Sequence, residues 1–141
     1  YLYSCFGGDL QGLGIPLTEH IEEKRISSII SLIEKGINTP LASSAGRLFD
    51  AVAALTGLNY RSTYQAEAPM LLESAIDHAE HGSYRYRLED GRVMFQTMIR
   101  QVVKDITSGV SAGRIAARFH HTLVNLILEL AVEIRKSSLL G

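Results

Sequence analysis

The chain has 141 residues, of which 46% are hydrophobic and 21% charged, with a formal net charge of −1. That length suits one domain with a sizeable core, the apolar content excludes a disordered chain, and the near-neutral balance argues against the basic face that nucleic-acid binding needs. The single Cys5 cannot close an internal disulfide, which fits a reducing compartment such as the cytoplasm.

Residues 1–8 read as the end of a helix stopped by Gly7 and Gly8, and residues 9–17 as a loop rich in glycine and proline. Thr18 suits a helix N-cap, with Glu19, Glu22 and Glu23 in the first turns and Ile26, Ile29, Ile30 and Ile33 as one apolar face. Gly36 ends that helix, and Asn38, Thr39 and Pro40 make a bend. A helix follows between the hydroxyls of Ser43 and Ser44 and the stop at Gly57, with Leu48, Val52 and Leu55 on one face. Arg47 and Asp50 stand three apart on its surface. Such a helix start can receive an anion, or can be the cap of an ordinary core helix.

A helix is expected over 66–81, with Pro69 in its first turn and Gly82 at its end. Residues 84–88 and 93–95 read as a hairpin around Asp90 and Gly91. A helix over 96–108 would face Ile99, Val102, Val103 and Ile106 inward. Ser111 can cap a last helix over 112–137, whose stripe of Ile115, Phe119, Leu123, Leu126, Leu130 and Ile134 is the strongest periodic signal in the chain. The longest apolar run, 126–132, is short and broken by Glu129, so no membrane span is expected. The expectation is a mainly α piece with one short β-hairpin. The opening Tyr1, Leu2 and Tyr3 without an initiator methionine, and Leu139 and Leu140 approaching a strand, read as a piece cut from a longer protein.

Three stretches carry a family resemblance. Residues 43–57, SSAGRLFDAVAALTG, resemble the SS-x-GRLFDAVAALLG signature of the hydrogenase-maturation carbamoyltransferases, the HypF family. Residues 64–73, YQAEAPMLLE, are similar to that family's YEGEAAM-x-LE, and residues 116–123, AARFHHTL, to its AARFH-x-TL. The resemblance runs from about Asn38 to Val132. It implies that residues 1–141 are one helical piece of the C-terminal carbamoyltransferase module, cut from an α/β ATP-binding fold of the actin and hexokinase type, with the other modules absent. The parent protein would take carbamoyl phosphate and ATP, form a carbamoyl-adenylate, and pass the carbamoyl group to the C-terminal cysteine of its partner HypE. That group becomes the cyanide ligand of [NiFe] hydrogenase. The resemblance also implies a divalent metal whose ligands lie outside this chain, no nucleic acid or membrane partner, and no turnover by this piece alone.

Within the superfamily, an aspartate of a G-x-x-x-D helix, a nearby glycine and a following glutamate hold the ribose. Gly46 and Asp50 match the helix, and a carboxylate there can accept hydrogen bonds from two vicinal hydroxyls. Glu67 and Glu73 both match the glutamate motif, Ala66 stands at its glycine, and Gln65 and Pro69 also depart from it. Ser44 and Arg47 are further polar contacts. His120 belongs to the third motif and orients the last helix, with no catalytic role implied.

Other chemistries are weaker. His78 and His81, three apart on the expected helix with Asp77 and Glu80 beside them, could begin a metal site. Ser43, a histidine and Asp50 could be assembled into a triad, but no G-x-S-x-G surrounds the serine. Cys5 reads as a small buried residue. Two alternatives remain in view: a non-enzymatic helical interaction domain, and a carbamoyltransferase acting on a small-molecule hydroxyl. The long stripe also allows self-association through exposed apolar surface.

Overall fold

A computed structural model describes residues 1–42, 44–89 and 91–138. The expected cap at Ser43, the turn at Asp90 and the strand approach at Leu139 and Leu140 lie outside them. The described residues form seven α-helices, a short 3₁₀ turn over Gln11–Leu13 and one hairpin. The helices are α1 (Leu2–Phe6), α2 (Pro16–His20), α3 (Glu23–Glu34), α4 (Ala45–Leu55), α5 (Glu67–Ser74), α6 (Gln96–Thr107) and α7 (Ala112–Ser137). The hairpin pairs β1 (Arg87–Glu89) with β2 (Arg92–Met94) antiparallel, Leu88 opposite Val93.

The core gathers one face from each of α4, α5, α6 and α7. Leu48, Val52 and Leu55 of α4, Leu72 of α5, Met98, Ile99 and Val102 of α6, and Ile115 and Phe119 of α7 are buried together. The spacings of three and four that marked these faces in the sequence account for it. Phe119 meets Phe49 edge-on, ring centroids 4.9 Å apart, and so locks α7 against α4. At the start of α7, Gly113 passes α5 so closely that an added Cβ would stand 2.6 Å from the Ala75 carbonyl oxygen. Only a glycine allows that approach.

Three expectations are corrected. Thr18 does not cap a long helix. Its side chain is buried in α2 and donates to the Ile15 carbonyl at 2.9 Å, and Ile21 is extended, so the chain restarts as α3. On α3 only Ile26 is buried, while Ile29 and Ile33 face outward. The helix expected over 66–81 stops at Ser74, because the segment after it takes its hydrogen bonds elsewhere. The Asp77 N–H donates to the Gly113 carbonyl at 3.1 Å, and the Ala79 N–H to the Asp77 carboxylate at 3.0 Å. The hairpin also begins later than residue 84. Tyr84 is buried as a core residue and not paired in the ladder.

The long α7 stripe is covered only in part. Ile115, Phe119 and Leu126 are buried, whereas Ile134 lies exposed. By length and composition α7 could cross a bilayer. Its first half instead builds the core, which is incompatible with a lipid-facing span.

Candidate functional site

The residues singled out on α4 share its outward side. Ser44 occupies the N-cap position with extended backbone, but its hydroxyl makes no capping bond. Among the described residues no side chain caps the first N–H groups of α4. Gly46 and Arg47 are exposed on the first turn. Arg47 Nη1 stands 3.1 Å from Asp50 Oδ2. Asp50 keeps its other oxygen without a protein partner among the described residues, and its side chain is 38% exposed. A carboxylate in that state can still accept donors from a ligand.

Helix α5, which carries the second group of residues, packs directly on α4. Ala66 is its N-cap and holds left-handed backbone, φ 65° and ψ 14°. The resembling motif carries glycine here, the residue that conformation favours. Glu67 is already engaged: its Oε2 accepts the Thr63 backbone N–H and, at 3.0 Å, the Thr63 hydroxyl. The Thr63 N–H holds its carboxyl below the usual range. Glu73, six residues on, points to a different side of α5, is exposed, and has no hydrogen-bond partner among the described residues. Thr63 thus holds Glu67 through one oxygen, whereas Glu73 meets no such competitor among the described residues.

A second polar cluster was not legible in the sequence. It clasps the segment after α5 to α6 and α7. Glu80 Oε1 accepts the Gly82 N–H at 2.8 Å, while Oε2 accepts Arg114 Nε at 2.8 Å and Arg118 Nη2 at 3.0 Å. The Gly82 N–H, then the Arg118 and Arg114 guanidinium groups, hold the Glu80 carboxyl down at about 2. Arg118 also reaches Asp105 Oδ2 through Nη1 at 2.7 Å, and the same oxygen accepts the Tyr84 hydroxyl at 2.8 Å. Burial, then Asp105, push the Tyr84 phenol far above its ordinary value. Ser83, Tyr84, Gln101, Lys104, Asp105 and Arg118 line a cleft of about 310 Å³ over this cluster. Its floor groups satisfy one another, so the cluster holds the fold together rather than waiting for a ligand. Arg118 stands inside the AARFH stretch, and that membership was the one available signal.

The histidines divide. His78 and His81 follow the end of α5, so they are not a ligand pair on one helix. His81 instead stacks on His121, centroids 6.4 Å apart. No three His, Cys, Asp or Glu side chains converge on a metal position among the described residues. Asp50 pairs with Arg47, not with a histidine, which removes the triad's acid. Cys5 is buried with its Sγ 3.6 Å from the Gln96 carbonyl. His120 lies half-buried against both Phe49 and Phe119.

Comparison with known proteins agrees with the sequence motifs. A family described as "Carbamoyltransferase, Kae1-like Domain, second subdomain" matches residues 2–140. The carbamoyltransferase HypF of Synechocystis is 36% identical over 95 residues, covering 65% of this chain and 12% of the relative. The carbamoyltransferase HypF of Rhodobacter capsulatus is 64% identical over 44 residues, covering 30% of this chain and 6% of the relative. A crystal structure of full-length HypF in a phosphate- and nucleotide-bound form superposes with TM-score 0.82 at 33% identity, over 92% of this chain and 21% of that one. The chain thus spans about an eighth or less of these two relatives.

Proposed function

The chain belongs to the carbamoyltransferase family, in the second subdomain of its Kae1-like domain, and on that premise we propose that it forms one wall of a nucleotide site in a HypF-type carbamoyltransferase. The parent enzyme would use ATP and carbamoyl phosphate in the reducing cytoplasm and deliver the carbamoyl group to the C-terminal cysteine thiolate of a HypE-like acceptor protein. The observation that carries the reading is Asp50. It lies in the GRLFD stretch, partly exposed, with one oxygen free and α5 packed alongside. That geometry fits a ribose, whose vicinal hydroxyls need an acceptor on a fixed backbone.

On this reading Asp50 accepts from the ribose, and Arg47 releases it or turns to the ligand. Glu67 or Glu73 supplies the second carboxylate: Glu67 is held through Oε2 by Thr63, and Glu73 has no competing partner among the described residues. Ala66 and Gly46 mark where backbone approaches the nucleotide, and Ser44 stands at the open helix start. ATP carries the activating phosphates when bound. On the same reading a divalent metal would take its ligands from other parts of the parent protein. The piece alone, holding one wall, is expected to show no turnover.

The test is carbamoyl-phosphate-dependent transfer to the acceptor thiol by the parent protein, with and without Asp50→Ala. Transfer should fall at least tenfold while the circular dichroism spectrum is unchanged, the loss of a hydrogen bond to a charged group. Unchanged transfer would assign α4 to scaffold.

A further inference from the structure

His120 combines three features on the side of α7 that meets α4. Its Nδ1 lies 2.8 Å from the Ala116 carbonyl oxygen. A carbonyl can only accept, so Nδ1 carries the proton and Nε2 of the neutral ring presents a lone pair. The ring is held edge-on against Phe49, centroids 5.4 Å apart, and against Phe119, 5.6 Å apart. Nε2 has no protein partner among the described residues.

Phe49 places the His120 ring beside α4. It sits three residues after Gly46 and directly before Asp50, so it borders the side of α4 that carries both. His120 is thereby the titratable residue of α7 that packs on the flank of the candidate nucleotide surface. His121, one residue on, turns instead to the Gly82 carbonyl at 3.2 Å. A fixed tautomer, a clamped plane and an open acceptor are what a ligand-binding imidazole needs.

We propose that His120 is a further nucleotide-contacting residue, accepting through Nε2 a hydrogen bond from an N–H or O–H group of the ligand bound along α4. This rests on the nucleotide reading of α4 and extends the site from α4 and α5 to α7. The test uses the intact parent protein and three variants. His120→Phe keeps the edge-on aromatic contacts and removes the acceptor. His120→Gln returns an acceptor, and Asp50→Ala reports on the site itself. The expected result is a five- to tenfold rise in KM for ATP in His120→Phe with little change in kcat, and recovery of most of it in His120→Gln. A second readout needs no variant: ATP should protect His120 from acylation by diethyl pyrocarbonate, mapped by mass spectrometry, while leaving exposed His78 unprotected.

The inference requires both results. An unchanged KM in His120→Phe, or equal acylation with and without ATP, overturns it while Asp50→Ala still impairs the enzyme. If His120→Phe does not fold, the acylation result decides alone. If Asp50→Ala has no effect, the nucleotide reading of α4 fails, and the His120 assignment with it.

Discussion

Ala66 holds φ 65° although it carries a Cβ, at the position where the resembling motif has glycine. Left-handed backbone costs an L-residue roughly 1–2 kcal/mol, and glycine gives back roughly 0.5–1 kcal/mol of that through its freer unfolded state. Ala66→Gly should therefore raise stability by about 0.5–1 kcal/mol, read as a higher urea midpoint at unchanged slope. The substitution is also expected to leave Glu67 on Thr63, since that carboxylate is held by the loop and not by the Ala66 side chain. Gly113 is the opposite case. A methyl there would meet the Ala75 carbonyl, which is backbone and cannot step aside. Gly113→Ala should cost about 1–3 kcal/mol, the ordinary penalty of overpacking, and lower the same midpoint. Both positions were visible as residues in the sequence. That Ala66 is strained, or that Gly113 touches α5, was not visible, because neither fact is local.

At the scale of elements, the clasp of Glu80, Arg114, Arg118, Asp105 and Tyr84 replaces a helix. Local pattern extended α5 through residue 81, since alanine, glutamate and histidine there do not oppose helix. The structure ends it at Ser74, because the Gly113 carbonyl of α7 and the Asp77 carboxylate capture the backbone N–H groups first. Tertiary capture of this kind leaves no periodic mark, whereas the α4, α6 and α7 faces were legible because burial repeats every three or four residues. The site divides the same way. The α4 and α5 motifs could be read off, but that Thr63 holds Glu67 through Oε2 could not. Removing Arg118 should leave two partly buried carboxylates facing each other's space. Arg118→Met is expected to cost about 2–3 kcal/mol, less than for a fully buried pair because the side chain is partly exposed. The pH dependence has a definite sign. Glu80 has its folded value depressed from 4.5 to about 2. Its contribution is complete above the unfolded value and is lost as pH falls from 4.5 towards 2. Thermal melts across that window should show a loss that Glu80→Gln removes, because the amide has nothing left to titrate.

For the whole molecule, the deciding feature is what α7 and α3 leave uncovered. Ile115, Phe119 and Leu126 face the core, while Val124, Ile127, Leu128, Val132 and Ile134 are exposed on the other sides of the same helix. On α3, Ile29, Leu32 and Ile33 repeat the pattern. Apolar residues exposed in runs along a helix, unlike singly scattered ones, are the kind of surface that another surface normally covers. The matched full-length structure is nearly five times longer than the stretch it shares with this chain, so there is ample polypeptide in such a protein to cover them. Produced alone, the chain should bury these faces against a second copy. Sedimentation velocity is expected to show concentration-dependent association, and Ile127→Glu with Leu128→Lys should weaken it at least tenfold. Each replacement trades an apolar side chain worth roughly 1.5–3 kcal/mol when buried for a charge that resists burial. The core-facing half of α7 is untouched by either change, so the helical circular dichroism signal should persist. A chain that stays monomeric at about 100 µM, far above the micromolar range in which a typical apolar interface of this size holds, would show that these faces are tolerated by water and that their exposure does not drive association.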